Sequence, residues 1–376
     1  MMVERAWCRV ALVALALCIV PVWRLDADGF DWGLVKVGAL DYVPVSRIAE
    51  FYALESEPLG VSGAEAESLV QLAGERARIE ASVDSRQVII NGVKHWLGYP
   101  VIEQDGGALI SRIDFVKTLE PTVRPERVGE LADVDTVILD AGHGGADRGA
   151  VQGDVFEKDL NLDVCRKAKP LLEQKGFEVV MTRDSDVFVP LAERARIANR
   201  HPNAIFISIH FNYSPNGAEA NGLEVFAMSP RGTPSTGEQA IRASHLDFHP
   251  GNGWDAESLV LANCVQHAAL GVMPQFDRGV KRARFAVLRL TRMPAILVEG
   301  AFLSNTADIS KAECETWRAT LASSILAAVV DYRQLAKGSQ PPKQIADYSE
   351  PPATAVALSM PGFDGMQPTL QVTPAN

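Results

Sequence analysis

The stretch Thr136–Ala150, TVILDAGHGGADRGA, constrains this chain more than any other. Val137, Ile138 and Leu139 form a short apolar run that stops at Asp140, and Gly142, Gly144 and Gly145 follow at once. This is the pattern of a buried strand that ends in a sharp loop. It delivers His143 to the strand's C-terminal end, and in open α/β sheets ligands and chemistry sit outside those ends. Two further apolar runs stop at residues able to bind metal or move protons. Residues 204–209 lead into His210, and residues 295–298 lead into Glu299.

Glu157 opens EKDLNLDVCRKAKPLLEQKG, a helical pattern that Gly176 closes as a C-cap. Pro170 inside it is expected to kink or split the helix. A negative charge is favoured at a helix start without any metal, so capping alone would account for Glu157. Two histidines and a carboxylate are nevertheless a set that holds catalytic zinc and leaves a fourth position open. His143, Glu157 and His210 would be the ligands. Glu299, outside the set, would be the proton shuttle that metal-assisted hydrolysis needs. The spacing is not the short HExxH form, so the residues by themselves specify only that reaction class.

LDAGHGGADRGA and EKDLNL, then TRDSDVFVPLAERARIANRHPNAIFISIHFN, GLEVFAM, FAVLRLTRMPAILVEGAFLSN and a closing helix together resemble the zinc-dependent N-acetylmuramoyl-L-alanine amidases. The resemblance runs from about Thr136 to Tyr332. It implies one zinc per chain held by His143, Glu157 and His210, with Glu299 catalytic. It also implies an α/β fold in which a mostly parallel, twisted sheet carries helices on both faces. Two residues after Glu299 depart from the family's usual leucine and glycine, being Gly300 and Ala301. The implied reaction is hydrolysis of the amide between N-acetylmuramic acid and L-alanine in peptidoglycan, during wall remodelling or daughter-cell separation. Two rival readings are a zinc peptidase acting on the peptide stem and a non-catalytic wall-binding protein. No substrate-binding residue is legible.

Composition narrows the partners. A formal net charge of −11 with no long Lys/Arg run argues against nucleic acid. Arg5 and Arg9 precede an apolar run from Val10 to Val22, shorter than the span of about 20 residues that crosses a bilayer. Residues 1–28 therefore read as a signal peptide or N-terminal anchor, and the location as the periplasm or cell envelope. Cys8 and Cys18 lie in that leader, while Cys165, Cys264 and Cys314 read as small buried hydrophobes.

Residues 34–122 read as a small α+β domain that precedes the sheet. Asn91-Gly92 between RQVII and GVKHW is a strong hairpin signal. VPVSRIAEFYAL and ALISRIDFVKTLEP each give a strand-like entry followed by an amphipathic helix. The segment is similar to the copper amine oxidase N-terminal-like domain of envelope proteins, but with His95 as its only histidine it offers no copper site. Residues 123–134, charged and proline-containing, read as a linker. The catalytic domain is expected over 135–337 and a disordered tail over 338–376.

Within the catalytic part, Arg194 and Asn199 fall on family-typical positions with structural roles expected for both. Ser229–Asp255 is rich in Gly, Pro, Ser and Thr and contains His245 and His249. It reads as a loop bordering the site, not a second metal centre. Some members of the family carry a groove-plugging helix about here that an activator protein displaces, so an activator is a partner to consider beside peptidoglycan. The chain is expected to act as a monomer.

Overall fold

The computed structural model describes residues 30–56, 60–62, 67–128, 134–215 and 219–337. The leader and the tail lie outside them. The N-terminal part begins with a four-stranded antiparallel sheet in the order Val35–Val37, Leu40–Pro44, Gly107–Ser111, Ile102–Gln104. Its two central strands each run into a helix. One is Val45–Tyr52; the other is residues 112–123, with a π-helical turn over Phe115–Leu119. This is the echo seen in the sequence, and the second helix starts where Ser111 Oγ accepts the Asp114 N–H at 3.1 Å.

A meander follows: Glu67–Ala73, β1 (Arg78–Ser82), β2 (Gln87–Ile90) and β3 (Val93–Trp96) pair successively in antiparallel fashion. Asn91 and Gly92 both take positive φ, 51° and 81°, as a two-residue hairpin of the Asn-Gly kind requires.

The amidase-like part supplies β4 (Thr136–Ala141), β5 (Glu178–Met181), β6 (Ala204–Asn212), β7 (Leu223–Met228), β8 (Asp277–Ala283) and β9 (Ala295–Phe302). Their order across the sheet is β5-β4-β6-β9-β7-β8. Every neighbouring pair is parallel except β7 with β9. The helices include α1 (Glu157–Gln174), α2 (Leu191–Ala198), α3 (Asp255–Val272), α4 (Ala286–Leu290) and α5 (Glu315–Ala336), with a shorter helix, Thr306–Glu313, just before α5. Alternate residues of the strands point to opposite faces. Leu139, Ile207, Val225 and Val298 join Val164, Val265 and Ile325 of α1, α3 and α5 in the main core. Ile138, Phe206 and Leu297 meet Ala198 of α2 and Val287 and Leu288 of α4 in a smaller one.

The two parts share one sheet. Val280 of β8 pairs with His95 of β3, so the meander continues the amidase-like sheet where an edge would otherwise stand open. The junction is tied by buried and half-buried groups. His95 Nε2 lies 3.1 Å from Asn263 Oδ1 on α3, and the Trp96 indole N–H donates to the Arg278 carbonyl at 2.9 Å. Arg86 donates to the Glu238 carbonyl at 2.8 Å.

Three expectations need correction. The stretch read as a linker over 123–134 packs in its first half: Val123 and Val128 are both buried, in the two different cores, so it joins them instead of running free. Pro170 does not split α1, which runs unbroken over Glu157–Gln174; it and Arg166, whose carbonyl it leaves unbonded within the helix, are both exposed, so water can satisfy that carbonyl. Cys165 and Cys264 are buried, but Cys314 is exposed at the cap of α5.

Candidate metal and hydrolytic site

The site forms where β4, β6 and β9 end. After Ala141 the chain turns sharply, with His143, Gly144 and Gly145 at φ 59°, 131° and 59°. A non-glycine residue in the left-handed region is held there by its surroundings. Arg194, almost fully buried on α2, does much of the holding. Its guanidinium donates to the Asp140 carboxylate at 2.8 Å, the Ala141 carbonyl at 2.6 Å, the His143 carbonyl at 2.6 Å and the Val189 carbonyl at 2.9 Å. Arg183 adds bonds to the carbonyls of Ala141, Gly142 and Lys158, each at 2.8 Å. His143 Nδ1 faces Asp147 Oδ2 at 2.9 Å, which leaves Nε2 pointing inward.

Glu157 is buried as the first residue of α1. It caps no amide of its own helix. Instead, Oε2 accepts the Ala150 N–H at 2.8 Å and Oε1 the Phe211 N–H at 3.2 Å. Its other neighbours are His143 Nε2, 3.3 Å from Oε2, His210 Nδ1, 2.8 Å from Oε1, and Asn161 Nδ2, which donates to Oε1 at 3.4 Å. One ligand atom from each of His143, Glu157 and His210 lies within 4.8 Å of the others. Burial opposes ionisation of Glu157, yet the two imidazoles outweigh it and hold the carboxyl well below the usual range. His143 shows the complementary effect: burial disfavours its charge, but Glu157 and Asp147 push its pKa up.

Small residues make room for this cluster. A Cβ at Gly142 would intrude on the His210 ring, and one at Gly149 would lie 2.5 Å from Glu157 Oε2 and 2.6 Å from His143 Cδ2.

Glu299 stands opposite His210 across the β6–β9 pair and opposite Glu224 across the β7–β9 pair. Its Oε2 is covered and has no hydrogen-bond partner. Burial, then the charges of Glu157 and Glu224, drive its pKa well above the carboxylate norm, with Lys281 opposing. Arg292, near the start of the same strand, is exposed, and its backbone N–H donates to Asn199 Oδ1 at 2.8 Å.

The remaining sequence candidates lie elsewhere. His245 is buried 3.2 Å from Glu238, and His249 begins a short 3-10 turn. Residues 229–255 form a loop with two such turns, Ala243–Leu246 and Pro250–Trp254. Sequence reasoning missed Asp147, Arg183, Glu224 and Lys281. Glu224 could have been noticed as a charge interrupting the apolar strand GLEVFAM, whereas Lys281 lies in RGVKRA, where charges are frequent and give no such signal.

A family model described as N-acetylmuramoyl-L-alanine amidase matches residues 137–331. The chain is 34% identical over 218 residues to the amidase AmiC of Escherichia coli, covering 52% of each protein. It is 32% identical over 215 residues to YqiI of Bacillus subtilis, an uncharacterized protein, covering 57% of this chain and 91% of that one. Among solved structures it is similar to the amidase AmiC2 of Nostoc punctiforme, with 31% identity and a TM-score of 0.45 over 54% of this chain and 98% of that one. The chain thus spans about half the length of its AmiC relative. With just over half of its residues matched by that model, the chain belongs to the N-acetylmuramoyl-L-alanine amidase family.

Proposed function

We propose that this chain is an extracytoplasmic zinc amidase that hydrolyses the amide between the lactyl group of N-acetylmuramic acid and the L-alanine of the peptide stem. The observation that carries the reading is the convergence of His143, Glu157 and His210, with Glu299 in register on the next strand. Two imidazoles and an anionic carboxylate are the donor set of a catalytic zinc with an open position. The glycines at 142 and 149 leave the space that those three side chains occupy, which a Cβ at either position would invade. Zinc bound there supplies a Lewis acid for the scissile carbonyl and lowers the pKa of water towards about 7.

The chain's own residues do the rest. Asp147 fixes the ring orientation of His143, and Ala150 and Phe211 amides fix Glu157, so the donor set is preorganised. Glu299, with a covered and unpartnered oxygen and a raised pKa, is suited to take the proton of the attacking water. It then delivers that proton to the departing amine of L-alanine. The leader at residues 1–28 is read as the export signal or anchor. Residues 34–122 are read as an envelope-type domain related to the copper amine oxidase N-terminal-like domain, without copper. The enzyme is read as a monomer.

Product analysis tests this. The zinc-loaded full chain is incubated with purified sacculi, and the released material is analysed for new amino termini. An amidase liberates stems that begin with L-alanine and leaves the glycan intact. Cuts within the stem would establish the peptidase instead, and binding without any release would establish a non-catalytic wall protein.

A further inference from the structure

Glu299 has a second carboxylate for a neighbour. Because Glu224 and Glu299 are directly opposed in an antiparallel pair, their side chains share one face of the sheet, with Cβ atoms about 5 Å apart. Like charges so placed repel. Glu224 is buried, and its balance comes from β8, two strands from Glu299. Arg278 Nε donates to Glu224 Oε2 at 2.7 Å, and Lys281 Nζ bonds the same oxygen. Asn212 Nδ2 donates to Oε1 at 2.8 Å.

Lys281 is the more enclosed of the two cations, with its side chain 11% exposed against 28% for Arg278. Its ammonium is seated 5.7 Å from the centre of the Phe226 ring and 5.8 Å from that of Trp96. Trp96 belongs to β3, outside the span the family model matches, and its indole N–H holds the Arg278 carbonyl. The N-terminal meander thus anchors the strand that carries both cations.

We propose that Lys281 is a positioning residue for Glu299: acting through Glu224, it balances the opposed carboxylates so that Glu299 keeps a fixed place with one oxygen free for the reacting groups. The inference rests on the reading of Glu299 as proton shuttle. Without the ammonium, Glu224 keeps one partly solvated cation, and the surplus negative charge displaces Glu299 from its working position. Removing the Glu224 charge at the same time removes the need for Lys281.

The test uses the zinc-loaded full chain and a soluble muramyl peptide, with kcat, KM, zinc content and Tm measured for Lys281→Met, Lys281→Arg, Glu224→Gln and the double variant Glu224→Gln/Lys281→Met. Lys281→Met is expected to lower kcat about tenfold, a typical coupling between contacting sites, with KM and zinc per chain unchanged. Lys281→Arg keeps most of kcat, and the double variant recovers most of what Lys281→Met loses. Wild-type kcat in Lys281→Met, no recovery in the double variant, or a kcat loss that follows zinc loss would each overturn the inference alone. A wild-type chain that releases no product overturns the amidase reading and this inference with it.

Discussion

Arg194→Met tests how the fold holds the metal-capable loop. Arg194 and Asp140 are 2% and 1% exposed, so methionine would fill the space but strand a buried carboxylate. Breaking such a pair costs about 3–5 kcal/mol. Thr182 and Ser208 hydroxyls still donate to Asp140 at 2.5 and 2.7 Å, which places the expected loss near the lower end, about 3 kcal/mol. For a folded unit of this size that lowers Tm by roughly 6–12 °C. The variant also frees the His143 and Val189 carbonyls and leaves the Ala141 carbonyl to Arg183 alone, so the left-handed turn at His143 loses much of its anchor. Zinc affinity should then fall by roughly 10–100-fold. Thermal unfolding followed by circular dichroism and chelator competition measure the two effects. Adding Asp140→Asn removes the stranded charge and should return a large part of the stability but little of the zinc affinity. Arg194→Met within about 0.5 kcal/mol of wild type, or with unchanged zinc affinity, would refute the reasoning.

Two further outcomes follow from local chemistry. His95 is buried at the junction of β3 and α3, and burial, reinforced by Arg282, depresses its pKa from the ordinary 6.5 to about 3. The unfolded chain therefore binds a proton that the folded chain refuses between those values, so stability is full above pH 6.5 and falls as pH drops, by about 2 kcal/mol at pH 5. Urea unfolding across pH should show this slope, and His95→Gln should remove about one proton's worth of it; an unchanged slope would sink the assignment. Gly142→Ala pushes a methyl into the His210 ring and should abolish stoichiometric zinc binding, whereas Gly237→Ala, with open space around it, should not. Zinc content by atomic spectroscopy decides between them, and a fully loaded Gly142→Ala chain would contradict the packing argument.

The parts of this molecule that a local pattern can carry were legible in the sequence. Strand-then-glycine endings located His143, and runs ending in His210 and Glu299 located their strands, because burial and turn chemistry act within a few residues. The three metal-capable side chains do meet as the pattern implied. What stayed hidden was set by pairing between distant segments. Nothing near His95 announces that it will pair with Val280, nor does the GLEVFAM run show that Glu224 will face Glu299. Arg194 read as structural, but its four acceptors come from the loop and strand around His143 and Val189, so the function of that role required the fold. Residues 123–128 failed as a linker for the same reason: their composition is polar, but Val123 and Val128 each find a core to enter.

Glu299→Gln separates ligand from catalyst most directly. The substitution keeps size and hydrogen-bonding reach and removes the base, while His143, Glu157 and His210 remain in place. Zinc content, Tm and turnover of muramyl peptide are to be measured on one preparation. The account expects about one zinc per chain, an unchanged Tm because glutamine keeps the shape of the side chain, and turnover reduced by roughly 10² or more. A stable, zinc-loaded Gln variant that turns over at the wild-type rate would contradict it.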